Sequence, residues 1–155
     1  MAKKLDLDSL PRRTGSGYPA AFLPRVAGRS SLRLAEAGGL SQFGVNLIRL
    51  EPGAASSIRH WHEREDEFVW VTEGELVMVT DDGEAVMRPG DCVAFPAGRP
   101  DAHHFLNRSA EPASFLVVGA KMAGEIAHYP DEDLVMRHAE GRQAYFHRDG
   151  TPWEG

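Results

Sequence analysis

Cysteine is nearly absent: Cys92 is the sole one in 155 residues. A lone thiol cannot close an internal disulfide, which suits a reducing compartment, so a cytoplasmic location is expected. No basic residue adjoins Cys92, and it is expected as a small core residue rather than a nucleophile. Basic charge is scarce too. Lys and Arg number 17 against 23 Asp and Glu, for a formal net charge of −6, and only Lys3-Lys4 and Arg12-Arg13 cluster. Nucleic-acid binding needs a clustered basic face, so that class of partner is excluded. No apolar run approaches the roughly eighteen residues of a membrane-spanning helix. Acids break Leu5-Asp6-Leu7-Asp8 where a signal peptide would have its apolar core. Sustained helical periodicity is missing as well, save for a weak trace near the C-terminus.

Glycine (16) and proline (10) are plentiful and lie between short apolar runs. That pattern predicts many turns and short strands, an all-β barrel or sandwich. The length suits one domain around a single core. Residues 1–30 are punctuated too often for a long regular element and read as an N-terminal arm, either packed along the barrel, reaching to a partner subunit, or mobile. Barrel strands are expected within 31–120: Phe43–Leu50, the run from Glu67, a hairpin about Asp81-Asp82-Gly83, Asp91–Phe95, and a last strand Ala113–Ala120. Residues 121–155 read as an extension packed on the barrel, a short irregular or helical tail. Its His128 and His147, with His138, have no ligand spacing and are expected as surface or packing residues.

The densest chemistry lies between Gly53 and Gly74. Strand side chains alternate between faces, so His60 and His62 share one face while Trp61 looks the other way. After the turn-like Glu63-Arg64-Glu65, Glu67 opens the β-rich run Phe68-Val69-Trp70-Val71, and an antiparallel return sets its carboxylate beside the two imidazoles. Further on, Pro96 and Gly98 make a turn, and His103, Phe105 and Asn107 fall on one face of the next strand. Two imidazoles and a carboxylate, with a third imidazole from elsewhere, suit a divalent first-row metal. A single such histidine is ordinarily just packed or solvated; four groups aimed at one point set the metal reading apart. Asn107 is expected to satisfy turn backbone groups. On the opposite face, Trp61, Phe68 and Trp70 form an outward apolar row, expected as a homodimer face unless the arm covers it.

Both stretches resemble the two signature motifs of the cupin superfamily. Gly53, His60, His62, Glu67 and Gly74 stand where the first motif has its glycine, two histidines, glutamate and closing glycine. Gly90, Pro96, Gly98, His103 and Asn107 fit the second. The chain is longer than the strict motifs at residues 54–59 and 99–102, both turn segments that tolerate length change. The longer second turn leaves His103 and His104 as alternatives; strand alternation and the spacing to Asn107 favour His103. The resemblance covers roughly residues 42–120 and implies a double-stranded β-helix, or jelly-roll, barrel with a metal in its mouth. His60, His62, Glu67 and His103 would hold one divalent transition metal: zinc, manganese, iron, nickel or cobalt. Within the superfamily the chain is similar to the small single-domain bacterial cupins, mostly uncharacterised, that often carry a sugar-phosphate isomerase label, itself an analogy.

Three histidines and a glutamate leave a coordination position open, as catalytic rather than closed structural sites do. The expected function is a metal-dependent enzyme acting on a small polar carbonyl, carboxylate or sugar-type compound, with isomerisation ahead of decarboxylation or dioxygenation. The alternative is a non-catalytic module that holds metal or a small ligand as a sensor or store. A general acid or base beside the metal would separate the two. Glu67 is used as a ligand and Val69 and Val71 are inert, so Arg49 and Glu75 are the side chains considered for the mouth.

Overall fold

A computed structural model describes residues 2–154. Among them the strands are β1 (Arg13–Thr14), β2 (Arg29–Arg33), β3 (Phe43–Leu50), β4 (Trp61–His62), β5 (Glu67–Glu73), β6 (Leu76–Thr80), β7 (Gly83–Met87), β8 (Cys92–Phe95), β9 (His104–Leu106), β10 (Ala113–Ala120), β11 (Ile126–Tyr129), β12 (Leu134–Ala139) and β13 (Arg142–Phe146). They build two facing walls. The first is a six-stranded sheet in the order β1-β2-β3-β10-β5-β8. The second joins the three-stranded sheet β7-β6-β9 to the four-stranded sheet β13-β12-β11-β4 through the isolated bridges Ala55↔Leu106 and His60↔His103. Strands distant in sequence pair antiparallel, β10 with β3 and β5, and β6 with β9. The result is the all-β barrel that the glycine and proline punctuation predicts, in the jelly-roll form that the cupin resemblance implies. No helix of the described residues is long and apolar enough to cross a membrane.

Period-two alternation decides which side chains fill the barrel. In β5, Val69 and Val71 are fully buried while Phe68 and Trp70 are 38% and 49% exposed. Val69 and Val71 join Ile48 and Leu50 of β3, Leu76 of β6, Phe105 of β9 and Phe115 of β10 in one apolar cluster between the walls. Burying each such side chain contributes about 1.5–3 kcal/mol. The hairpin falls where expected, with Thr80 opposite Gly83 and Asp81-Asp82 at its tip. Asn107 is a turn clamp: its amide donates to the Leu50 and Glu111 carbonyls at 3.0 and 2.8 Å, and its oxygen accepts from the Ser109 N–H at 3.0 Å. Gly74 cannot be replaced without rearrangement. Its φ is +72°, and a Cβ there would meet the Pro112 carbonyl oxygen at 2.6 Å.

The C-terminal stretch departs from the reading as an irregular or helical tail. Residues 121–155 supply β11, β12 and β13. Ala127 and Tyr129, then Leu134 and Met136, are buried at every second position, which is a strand period rather than a helical one. These residues form a second cluster with Phe22 and Ile58, and Tyr18, Tyr145 and Trp153 pack against it. Thus the N-terminal arm packs against the C-terminal strands of its own chain. The 30/31 boundary drawn from the sequence falls inside β2.

Two outward residues also differ from expectation. Trp61 does not extend the row of Phe68 and Trp70: β4 pairs with β11 in the other wall, where the indole stacks on His128 at 4.5 Å. Cys92 is exposed rather than part of the core, because it opposes outward-facing Trp70 across β5 and β8.

Candidate metal centre

Backbone pairing sets the first two imidazoles. His60 and His103 exchange backbone hydrogen bonds, His60 N–H to His103 O at 3.2 Å and His103 N–H to His60 O at 2.9 Å. His62, two residues on, lies opposite Ala127 of β11. Glu67 starts β5 between Gly119 of β10 and Phe95 of β8, and Gly119 is opposite Gly44 of β3. Two glycines in register leave the wall beside the carboxylate bare. A cavity of about 970 Å³ opens there, lined by residues of both walls and of the N-terminal arm.

Ligand atoms of His60, His62 and Glu67 all lie within 4.8 Å of one another. The rings of His60 and His62 meet edge to face at 4.9 Å, and Nε2 of His62 is 3.6 Å from Glu67 Oε2. His103 joins through the carboxylate, its Nε2 2.9 Å from Glu67 Oε1. Phe95 stacks flat on the His103 ring at 3.4 Å and fixes its plane. His104 points elsewhere: its Nδ1 donates to the Ser57 carbonyl at 3.0 Å.

Tautomers follow from the acceptors. Nδ1–H of His60 donates to the Ile58 carbonyl at 2.7 Å, and Nδ1–H of His62 donates to Glu125 Oε1 at 3.1 Å. In both neutral rings the lone pair therefore sits on Nε2, the nitrogen a cation would need. Burial, reinforced by the His62 and His103 rings, pushes His60 down to about 3, so it is neutral at working pH. Burial opposes charge on His62, yet Glu67 and then Glu125 raise it above its ordinary value. Burial would lift Glu67, but the hydrogen bond from His103 and the adjoining His62 ring outweigh it and hold the carboxyl well below the usual range. This donor set, two inward Nε2 atoms and an ionised carboxylate, fits a divalent cation. His103 is the least prepared member, because its Nδ1 is buried without a hydrogen-bond partner.

Neither Arg49 nor Glu75 reaches the cavity. Arg49 opposes Ser30 on the outward face and pairs with Glu51 at 3.0 Å, while Glu75 pairs with Arg88 at 3.1 Å. Sequence reasoning missed Glu65 and Glu125. Glu65 lines the cavity, and one carboxylate oxygen accepts from the Met122 N–H at 2.9 Å. Glu125 is fully buried just before β11 and accepts from the backbone N–H of Glu63 and Arg64 as well as from His62. Nothing in its local sequence announces it, since its partners arrive only when β11 pairs with β4.

Residues 46–119 match the Cupin domain family. No curated protein sequence matches the chain. Among solved structures, a sugar phosphate isomerase of the cupin superfamily from Silicibacter pomeroyi is 56% identical, with 99% of this chain and 98% of that one covered and a TM-score of 0.94. A protein from Acidithiobacillus ferrooxidans, provisionally named a sugar phosphate isomerase, is 28% identical over 83% of this chain and 81% of that one, at a TM-score of 0.75. A polyketide cyclase from Streptomyces resistomycificus shares the fold at 22% identity and a TM-score of 0.64, covering 77% and 80% of the two chains. One barrel thus carries unlike chemistries, and the fold alone does not choose among them. What the full-length likeness does fix is kinship: the chain belongs to the cupin superfamily.

Proposed function

We propose that the protein is a metal-dependent isomerase of small sugar-type carbonyl compounds, with its divalent ion held by His60, His62 and Glu67 and completed by His103. The observation that carries this reading is the convergence of ligand atoms from two imidazoles and a carboxylate within 4.8 Å on the wall of a cavity of about 970 Å³. When bound, such an ion supplies Lewis acidity toward a carbonyl or hydroxyl oxygen. The chain's own groups do the rest. Glu125 and the Ile58 carbonyl orient the two histidines, and Phe95 holds the His103 plane. Glu65 is a further cavity carboxylate, its ligand atom within 4.8 Å of those of His62 and Glu125, which favours an enzyme over a passive binding module. The 56% identical relative carries a sugar phosphate isomerase name, and this supports the substrate class.

The test is aldose–ketose interconversion of a panel of sugar phosphates followed by proton NMR. Protein stripped with a chelator should be inactive, and reloading with manganese, zinc, cobalt, nickel or ferrous iron should restore turnover with at least one of them. Metal retention without turnover on any member of the panel would favour the binding module instead.

We also propose that two copies meet through the outer face of the six-stranded sheet. Phe43, Phe68 and Trp70 are exposed there, with Ala94 and Val118 flanking Phe68. The arm cannot be the cover, because Tyr18 and Phe22 are engaged with the C-terminal strands. Exposed apolar patches of this kind mark interfaces. Trp70→Glu is expected to halve the mass in sedimentation equilibrium, and an unchanged mass counts against this face.

A further inference from the structure

The six-stranded wall of the cavity carries, on β2, an arginine without a counter-charge. In β2, Arg29, Ser31 and Arg33 oppose Leu50, Ile48 and Asn46 of β3. Directly opposed residues share a face, and Leu50 and Ile48 belong to the barrel core, so both arginines start from the inward side. The cavity is lined by Arg13, Arg29, Arg33 and Lys121 as its cations. Arg13 and Arg33 share the Glu36 carboxylate, at 2.8 and 3.3 Å, and Lys121 is exposed. Arg29 is half-buried, and among the described residues no carboxylate pairs with it and no acceptor takes a hydrogen bond from its guanidinium.

The acids that line the cavity are engaged elsewhere. Glu36 holds two arginines, Glu67 faces His62 and His103, Glu125 takes three donors, and Glu65 accepts from Met122. Burial, with Arg33 nearby, lowers the Arg29 pKa from its ordinary value, against the raising influence of Tyr18. A half-buried guanidinium whose donors have no protein acceptor and open on a cavity is free to take an anion there. In a chain with a net charge of −6, an inward arginine left unpaired is not a consequence of surplus base.

We infer that Arg29 anchors an oxyanion of the substrate, a phosphate monoester or a carboxylate, while the metal-ligating cluster takes the carbonyl end of the same molecule. The planar fork of the guanidinium suits both anions bidentately. The substrate is then an acidic sugar-type compound rather than a neutral one. This rests on the reading of the cavity as the substrate site.

Calorimetric titration of metal-loaded protein with glucose 6-phosphate, gluconate and glucose tests it. Wild type should bind at least one of the two anions about tenfold or more tightly than glucose, the loss expected when one charged hydrogen-bonding partner is missing. Arg29→Met should abolish that preference with metal content unchanged, and Arg29→Lys, which keeps charge without the fork, should retain part of it. A preference for glucose 6-phosphate alone assigns a phosphate, and one for gluconate assigns a carboxylate. The inference is overturned if wild type shows no anion preference, if Arg29→Met keeps it, or if Arg29→Met loses metal together with the anion. Should Arg29→Met not fold, competition in wild type decides: inorganic phosphate or acetate must displace the bound anion, and failure of both overturns the inference. Anion binding that needs Arg29, in protein that takes up no metal on elemental analysis, would sink the metal reading and leave this one standing.

Discussion

Replacing His62 with alanine should strip the protein of tightly held transition metal. The comparison is elemental analysis of wild type and variant purified without a metal-affinity column. Loss of an outer-shell partner of a ligating histidine already costs about 10–100-fold in affinity, so loss of the ring itself should exceed that. His62 is held at both ring nitrogens. Its Nδ1 is tied to Glu125 at 3.1 Å, and its Nε2 stands 3.6 Å from Glu67. Removing it leaves only His60 and Glu67 of the trio whose ligand atoms meet within 4.8 Å. Wild type with no more metal than His62→Ala would end the functional reading, though not the fold.

The same experiment separates the histidines. His103 reaches the cluster through its bond to Glu67 Oε1, and its Nδ1 is buried with no partner. A cation taking Nε2 would push the ring proton to Nδ1, where no acceptor waits, and an unmet buried donor costs about 1–3 kcal/mol. His60 and His62 carry no such penalty, since each Nδ1–H already has its acceptor. His103→Gln should therefore retain more metal than His60→Gln or His62→Gln. Equal losses at all three positions would mean that the ring of His103 is as well prepared as the others.

The barrel and the trio were legible because both are written in local pattern. Alternation alone put Val69 and Val71 inside and Phe68 and Trp70 outside, and the His-x-His spacing put two rings on one face. The same alternation was present at Ala127, Tyr129, Leu134 and Met136, but in strands short and rich in polar residues, so the C-terminal sheet was not seen. Trp61 misled because alternation gives the side of a strand, not the sheet it joins; only the pairing with β11 sends its ring to the second wall. Cys92 misled for a composition reason, since a small apolar residue next to Val93 reads as core, whereas its register opposite Trp70 turns it outward. Glu125 and Arg29 had no local mark. Each matters through partners far along the chain, or through their absence, and that is information carried by tertiary pairing alone.

Glu125→Gln should lower metal affinity by about 10–100-fold while the fold persists. In the folded protein this carboxylate accepts from three donors: the Glu63 N–H at 3.2 Å, the Arg64 N–H at 2.8 Å and His62 Nδ1–H at 3.1 Å. Acceptors alone face all three. An amide supplies one oxygen where two are needed, so either Arg64 or the His62 and Glu63 pair meets an NH₂ group. If the oxygen stays with the Arg64 N–H, His62 loses the bond that keeps its proton on Nδ1, and Nε2 is no longer reserved for the cation. Glu125→Ala should be harsher in a different measurement. It strands the donors outright, at about 1–3 kcal/mol for each one left unmet, and chemical denaturation should register that loss. The two variants divide the roles of one residue: glutamine tests orientation of the ligand, alanine tests support of the turn between β4 and β5. Chelator competition gives the metal affinity of each. Should Glu125→Gln bind metal as tightly as wild type, Glu125 serves the turn alone, and the tautomer of His62 does not limit metal binding.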